Sequence, residues 1–337
     1  MYQTGRKFIL AISFSFFVAA MGSQASIAQT EMKKNILQAI VDLKSQVPST
    51  ARTASFLGTE RIGSGVVIDS EGLILTIGYL ILEAEKTEVT SPDGQAIEAN
   101  IIAYDHESGF GLIRATKTLN VPPMRFGSSA ELSRDTNVLV VSRAGDRPII
   151  GAKVVSRREF TGGWEYLLEN AIFTSPPHTF HSGAALVSEE GRLLGIGSLI
   201  VNNALPNAVL PGNMFVPIDL LKPILADLLE KGRREEPYRP WIGANTNEVS
   251  GRLIISRVSK DGPAEQAGLG SGDFILGVKG EVVTSQGDFY RKLWASGSAG
   301  SEIILNVLPA KSDKLRIENV TIKSVDRSDW LRLSQTY

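Results

Sequence analysis

The sequence contains no cysteine, so no disulfide can brace the fold, and the redox state of its compartment is left open on this ground. Neither sign of charge dominates. With 35 basic and 36 acidic residues, the chain lacks the polycationic field that attracts nucleic acid and the acidic run that solvates a tail. Beyond Gly22 no apolar run approaches the roughly 20 residues that a membrane-spanning helix needs. Histidine is scarce: His106, His178 and His181 are the only three, which limits the general bases available to any nucleophile.

What is present begins with a processing signal. Arg6 and Lys7 precede an apolar stretch from Phe8 to Gly22, and Ser26-Ile27-Ala28 places small residues where a signal peptidase reads. Residues 1–28 are therefore expected to direct export and to be removed, leaving no integral span; retention as an anchor is the alternative. Within residues 29–50, Met32, Ile36, Ile40 and Leu43 fall at helical spacing, widened by Leu37 and Val41, which predicts an amphipathic helix over 31–46. Its apolar face is expected to pack on the following domain or on another copy of the chain.

The 337 residues suit about two domains. A first domain is expected over 51–232; from about Phe56 to Pro217 within it, short apolar runs alternate with turn residues and no helix intervenes, as in Gly63 to Thr76, Glu98 to Ala103, Asn137 to Ser142, Ile149 to Ser156 and Leu193 to Ile200. That density predicts an antiparallel barrel or sandwich. A helix follows, with Asp219 as its cap, Leu220, Leu221, Ile224, Leu225, Leu228 and Leu229 on its apolar face, and Gly232 at its end. The charged run Arg233-Arg234-Glu235-Glu236, closed by Pro237 and Pro240, reads as a solvated linker over 233–240. A smaller α+β domain is expected over 241–326, with a tail at 327–337. It comprises a strand at Leu253 to Val258, a short helix from Pro263, a hairpin turning at Gly280, a helix over Gln286 to Trp294 and two further strands.

Thr179-Phe180-His181-Ser182-Gly183-Ala184-Ala185-Leu186 looks like a nucleophile turn set late in the β-rich region. A serine hydroxyl is a weak nucleophile until a base takes its proton and backbone donors receive the developing oxyanion. Gly63-Ser64-Gly65-Val66-Val67-Ile68, Leu73-Ile74-Leu75-Thr76, Ser182-Gly183, Gly191-Arg192-Leu193-Leu194-Gly195-Ile196 and Met214-Phe215-Val216-Pro217-Ile218 precede one Gly-Asp-containing module. In this order the sequence resembles the HtrA (Deg) family over about residues 56–325. The resemblance implies a mainly β fold: a trypsin-like double antiparallel β-barrel followed by a single PDZ domain.

The resemblance also implies a Ser-His-Asp triad, and here the positions depart from it. Ser182 is kept, whereas the histidine position is Tyr79 and the aspartate position is Gly109. Phe180 stands where the family has the glycine of the oxyanion hole. Asp105 and Glu107 lie nearby in sequence, but two or four residues along a strand displace a group by about 7 or 13 Å. His106 and His178 are the alternative bases, and His181, adjacent to Ser182, is expected to point away from it. His178 and His181 also have a spacing seen in metal sites, but without a third ligand no metal is expected, and no cofactor.

For the PDZ domain the resemblance implies capture of an extended peptide by strand addition. Trp241-Ile242-Gly243-Ala244 would receive a terminal carboxylate on backbone N–H groups, and Asn245 to Asn247 would pair with the peptide. Phe289 and Leu293, four residues apart, would line the side-chain pocket or pack in the domain core. The expected function is an exported, periplasmic, non-catalytic protease homologue that binds unfolded proteins or protein C-termini; the alternative is a serine endopeptidase with an unconventional base. A homotrimer is implied by the family, and no nucleic acid partner is expected.

Overall fold

The structure, a computed structural model, describes residues 31–311 and 316–333. The expected export signal lies outside them. Among the described residues, two closed barrels and one open sheet account for the strands. The first barrel is built from β1 (Ile40–Gln46), β2 (Glu60–Val67), β3 (Leu73–Ile77), β4 (Lys86–Thr90), β5 (Ala96–Tyr104) and β6 (Phe110–Ala115). They close in the order β1-β2-β3-β6-β5-β4. The second uses β7 (Asn137–Val141), β8 (Ile149–Gly162), β9 (Tyr166–Ser175), β10 (Ala185–Val187), β11 (Leu193–Val201) and β12 (Gly212–Pro217), in the order β10-β11-β12-β9-β8-β7. Closure removes the unpaired edges that would otherwise invite further strands. Ile40, Ile74 and Leu112 of the first barrel share a continuous core with Phe173, Ile196 and Met214 of the second, so the cleft between the barrels has a rigid floor.

The remaining sheet runs β13 (Ala244–Val249), β14 (Arg252–Val258), β15 (Phe274–Val278), β17 (Glu302–Leu308), β18 (Glu318–Lys323), with β16 (Glu281–Val282) paired to β15. The short helix α4 (Pro263–Gln266) and α5 (Gln286–Ala295) cover it. Ser285 caps α5 by accepting the Asp288 N–H, and Phe289, Tyr290 and Leu293 form its buried stripe.

Several expectations are corrected. The helix predicted over 31–46 stops early: α1 spans 31–38, and β1 follows. The stripe Ile36, Ile40, Leu43 fits either period, but β1 bonds to β2 on one side and β4 on the other, so the barrel cannot close without it. The face of α1 packs internally, with Ile36 in the barrel core and Met32 and Leu37 against it. The protease-like domain accordingly starts before residue 51. A short helix α2 (Ala54–Leu57) was not expected.

Asp219 does not cap the following helix. It accepts from Ser129 Oγ and the Ala130 N–H, each at 2.8 Å, and α3 (Leu225–Lys231) begins beyond it, ending at Gly232 in the left-handed conformation. The linker is not merely solvated. Arg233 pairs with Asp326, Arg234 with Asp105, and Arg239 with Glu107. The tail also has structure: α6 (Arg327–Leu331) brings Leu331 and Leu333 onto Leu82 of the first barrel. Both corrections have one cause, since the partners come from distant parts of the chain.

Candidate functional site

Ser182 sits on the turn before β10, in the cleft. Its carbonyl accepts the Ser64 N–H at 2.9 Å, and the Gly183 N–H donates to Gly197 O at 2.9 Å, so the turn is stitched to both barrels. Tyr79 lies on the single 3-10 turn Gly78–Leu80 that follows β3. Its hydroxyl is 2.9 Å from Ser182 Oγ and 2.8 Å from the Ser198 carbonyl oxygen. A carbonyl can only accept, so the phenol proton goes to Ser198 and the serine proton completes the second bond. Burial pushes the Tyr79 hydroxyl up to about 12, against the opposing bond to Ser182. The phenol is therefore protonated at neutral pH, the form in which it is not a base.

Gly109 closes the turn after Asp105, and its carbonyl accepts the Gly78 N–H at 2.7 Å, placing it beside the Tyr79 turn. Its φ is +81°, and a Cβ there would stand 3.2 Å from the Tyr166 hydroxyl. An aspartate can enter only with left-handed strain of about 1–2 kcal/mol. Gly109→Asp combined with Tyr79→His is expected to lower the unfolding free energy by at least about that amount, read as a lower urea midpoint, and to leave Ser182 unlabelled by a fluorophosphonate probe. Labelling at wild-type stability would refute this.

The Phe180 N–H, which would serve an oxyanion hole, donates instead to His178 Nδ1 at 3.1 Å. His178 is buried, and its Nε2 lies 3.0 Å from Arg147 O. With Nδ1 accepting, the ring proton belongs on Nε2; the imidazole is neutral, its pKa lowered chiefly by burial. The Phe180 side chain is 48% exposed, with its ring over Gly145. His181 Nδ1 meets Thr179 O at 3.1 Å, and burial lowers its pKa too. His106 bonds Ser328 Oγ at 3.1 Å and stacks edge-on to Tyr104. Among the described residues, no histidine hydrogen-bonds Ser182 or Tyr79.

The second site is the loop leading into β13. The N–H groups of Ile242, Gly243 and Ala244 converge on one carboxylate, at 3.2, 2.7 and 3.1 Å. Gly243 adopts φ +78°, which turns successive amides toward one point. The carboxylate is that of Glu165, at the tip of the β8–β9 hairpin. Burial pushes Glu165 up to about 7, against the three N–H bonds and the Arg327 charge, which favour the ionised form. Sequence reading missed Glu165, which looks like an ordinary turn residue after Gly162-Gly163-Trp164. Phe289 and Leu293 are fully buried in the core of this domain, where Leu167 of β9 joins them. From the segment 245–247, the Thr246 N–H donates to Gly163 O at 2.9 Å. An apolar cavity of about 390 Å³ links the two sites, running from Tyr79 to Gly243 between Trp164, Trp241 and Trp330.

The trypsin-like peptidase domain family matches residues 63–196 and the PDZ domain family residues 240–323. The chain thus combines a trypsin-like peptidase domain with a PDZ domain, the arrangement of HtrA/Deg proteins. A probable periplasmic serine protease do/HhoA-like of Haemophilus influenzae is 29% identical over 264 residues, 73% of this chain and 55% of that relative. The serine endoprotease DegS of the same organism is 24% identical, covering 75% of this chain and 74% of DegS. The chain thus spans about half the length of the first relative. Among solved structures, the HtrA-type protease AlgW with a tripeptide superposes with a TM-score of 0.53 at 19% identity, over 88% of this chain and 96% of that one. The shared fold is therefore the double barrel with a PDZ domain behind it.

Proposed function

We propose that this HtrA-family chain is an exported protease homologue without turnover, and that it works by capturing unfolded proteins or protein C-termini through its PDZ domain, as a scaffold, chaperone-like or regulatory factor. The observation that carries the loss of turnover is the Tyr79 hydroxyl bonded to Ser182 Oγ at 2.9 Å, with its pKa raised to about 12 where a general base is needed. Gly109 supplies no orienting carboxylate, and Asp105 and Glu107 are bound by linker arginines. The Phe180 amide faces His178. Peptide capture is supported by the three convergent N–H groups at Ile242 to Ala244. The periplasmic names of the relatives support the same compartment here.

Two observations favour the second reading, a serine endopeptidase: Ser182 keeps its turn, and the relatives are named as proteases. The two readings separate in one assay. The mature protein is expected to leave unfolded casein intact, with Ser182→Ala indistinguishable from wild type and no labelling by a fluorophosphonate. Casein cleavage that disappears in Ser182→Ala would establish the endopeptidase.

A further inference from the structure

The groups that would hold a peptide are already engaged by another part of the same chain. Glu165 presents its carboxylate to the Ile242, Gly243 and Ala244 amides. Two residues on, Leu167 is buried among Ile242, Ala244, Phe289 and Leu293. Gly163 offers its carbonyl to the Thr246 N–H at 2.9 Å. Tyr290 of α5 donates its hydroxyl proton to Gly162 O at 2.8 Å and accepts the Glu165 N–H at 3.3 Å. A carboxylate in an amide nest, an apolar side chain in a pocket and a main-chain bond to the open edge of β13 are the three contacts by which such a groove holds a chain terminus.

We propose that the tip of the β8–β9 hairpin, residues 162–167, is an internal ligand of the PDZ groove, and that the outside partner is a polypeptide C-terminus that must displace it. The terminal carboxylate replaces that of Glu165, and an apolar side chain of the partner replaces Leu167. This rests on the peptide-capture reading and adds the condition under which capture occurs.

The internal ligand is built to hold the groove incompletely. It is a tight turn rather than an extended strand, with Glu165 itself at φ +58°, a conformation that a side chain adopts at a cost. Only Gly163 to Thr246 joins the tip's main chain to that of β13, so the full ladder of strand addition is left for the incoming peptide. Burial of the Glu165 carboxylate opposes its charge, as its raised pKa records. The charged and titratable groups acting on it are Arg327 of α6, which favours the ionised form, and Tyr290 of α5, whose hydroxyl meets the Glu165 N–H. An attached competitor needs no great intrinsic affinity, because tethering keeps its local concentration high. The apparent affinity for an outside peptide falls by the fraction of time the groove is free.

The test uses the full mature chain and a fluorescein-labelled decapeptide ending in Val-Leu with a free carboxylate, alongside its C-terminal amide. Wild type is expected to bind the free-acid peptide weakly, and Glu165→Ala to bind it about ten- to a hundred-fold more tightly, the range expected if the tip is docked about 90–99% of the time. The near-isosteric Glu165→Gln, which keeps the turn but removes the charge, is expected to gain part of this, and the amide peptide to lose most of it. Far-UV circular dichroism establishes that each variant is folded. Equal free-acid affinity in wild type and both variants would overturn the internal-ligand proposal while leaving peptide capture intact. Absence of binding in all three folded proteins would overturn capture as well.

Discussion

Gly183→Ala is expected to destabilise the protein by about 3 kcal/mol or more, seen as a lower urea midpoint with an unchanged slope. Gly183 has φ +73°, and a Cβ there would lie 2.0 Å from Ser64 O and 2.7 Å from Thr76 Oγ1. The conformation alone costs about 1–2 kcal/mol for an L-residue. The clash adds to that and cannot relax cheaply, because the obstacle is backbone. The Ser64 N–H is bonded to Ser182 O, and Thr76 Oγ1 donates to Ser64 O at 2.7 Å, so moving the obstruction means opening the contact between barrels. Gly151→Ala, where nothing lies within 4 Å, is the control and should change stability by no more than about 0.5 kcal/mol. A Gly183 variant as stable as the Gly151 variant would refute the argument. The retained nucleophile turn thus has a structural reason to persist that is independent of turnover.

Asp105→Asn should cost about 3 kcal/mol. Asp105 is 3% exposed, and its two oxygens receive Arg234 Nε and Nη2 at 2.9 and 2.8 Å. Oδ2 also accepts the Ser108 N–H at 2.9 Å. Breaking a buried pair typically costs about 3–5 kcal/mol; partial exposure of the Arg234 side chain, at 29%, argues for the lower end. Asparagine keeps the shape but turns an amide donor toward a guanidinium that only donates. The exposed pair Lys44–Glu60 is the contrast, and its loss should be near the limit of detection.

The same pair predicts an acid limb. Burial by itself would raise the Asp105 pKa, but the Arg234 guanidinium and the Ser108 donors outweigh it and hold the carboxyl below its ordinary value. A depressed folded pKa means that the unfolded chain binds the proton first. The stabilisation is therefore complete above about pH 4, the unfolded value, and is lost as pH falls through the folded one. Urea titrations at descending pH should show wild type losing its advantage over Asp105→Asn in that window. Parallel curves would contradict the assignment.

Much of this architecture is written locally. Strands such as Glu98 to Ala103 and Leu193 to Ile200 alternate or run apolar between turn residues, and α5 carries its own cap and stripe, so nearest-neighbour chemistry is enough to place them. The Ser182 turn and the Gly243 loop are legible for a related reason: a left-handed glycine beside backbone donors is a local requirement. Where local signals tie, the reading failed. Ile36, Ile40 and Leu43 satisfy a helix and a strand alike, and barrel closure decided for β1.

By itself, then, the sequence determined the strand pattern of the two domains apart from β1, the identities of Tyr79 and Gly109, and the amide loop at Ile242 to Ala244. Tertiary structure decided what those groups touch. Glu165 reaches Gly243 across 78 positions and Arg234 reaches Asp105 across 129, and no periodicity or spacing specifies such pairs. They form because the folded barrels bring one buried carboxylate within reach of each set of donors, where leaving either partner unpaired would cost more than the contact. The amide loop was visible in the chain; that the chain supplies its occupant was not.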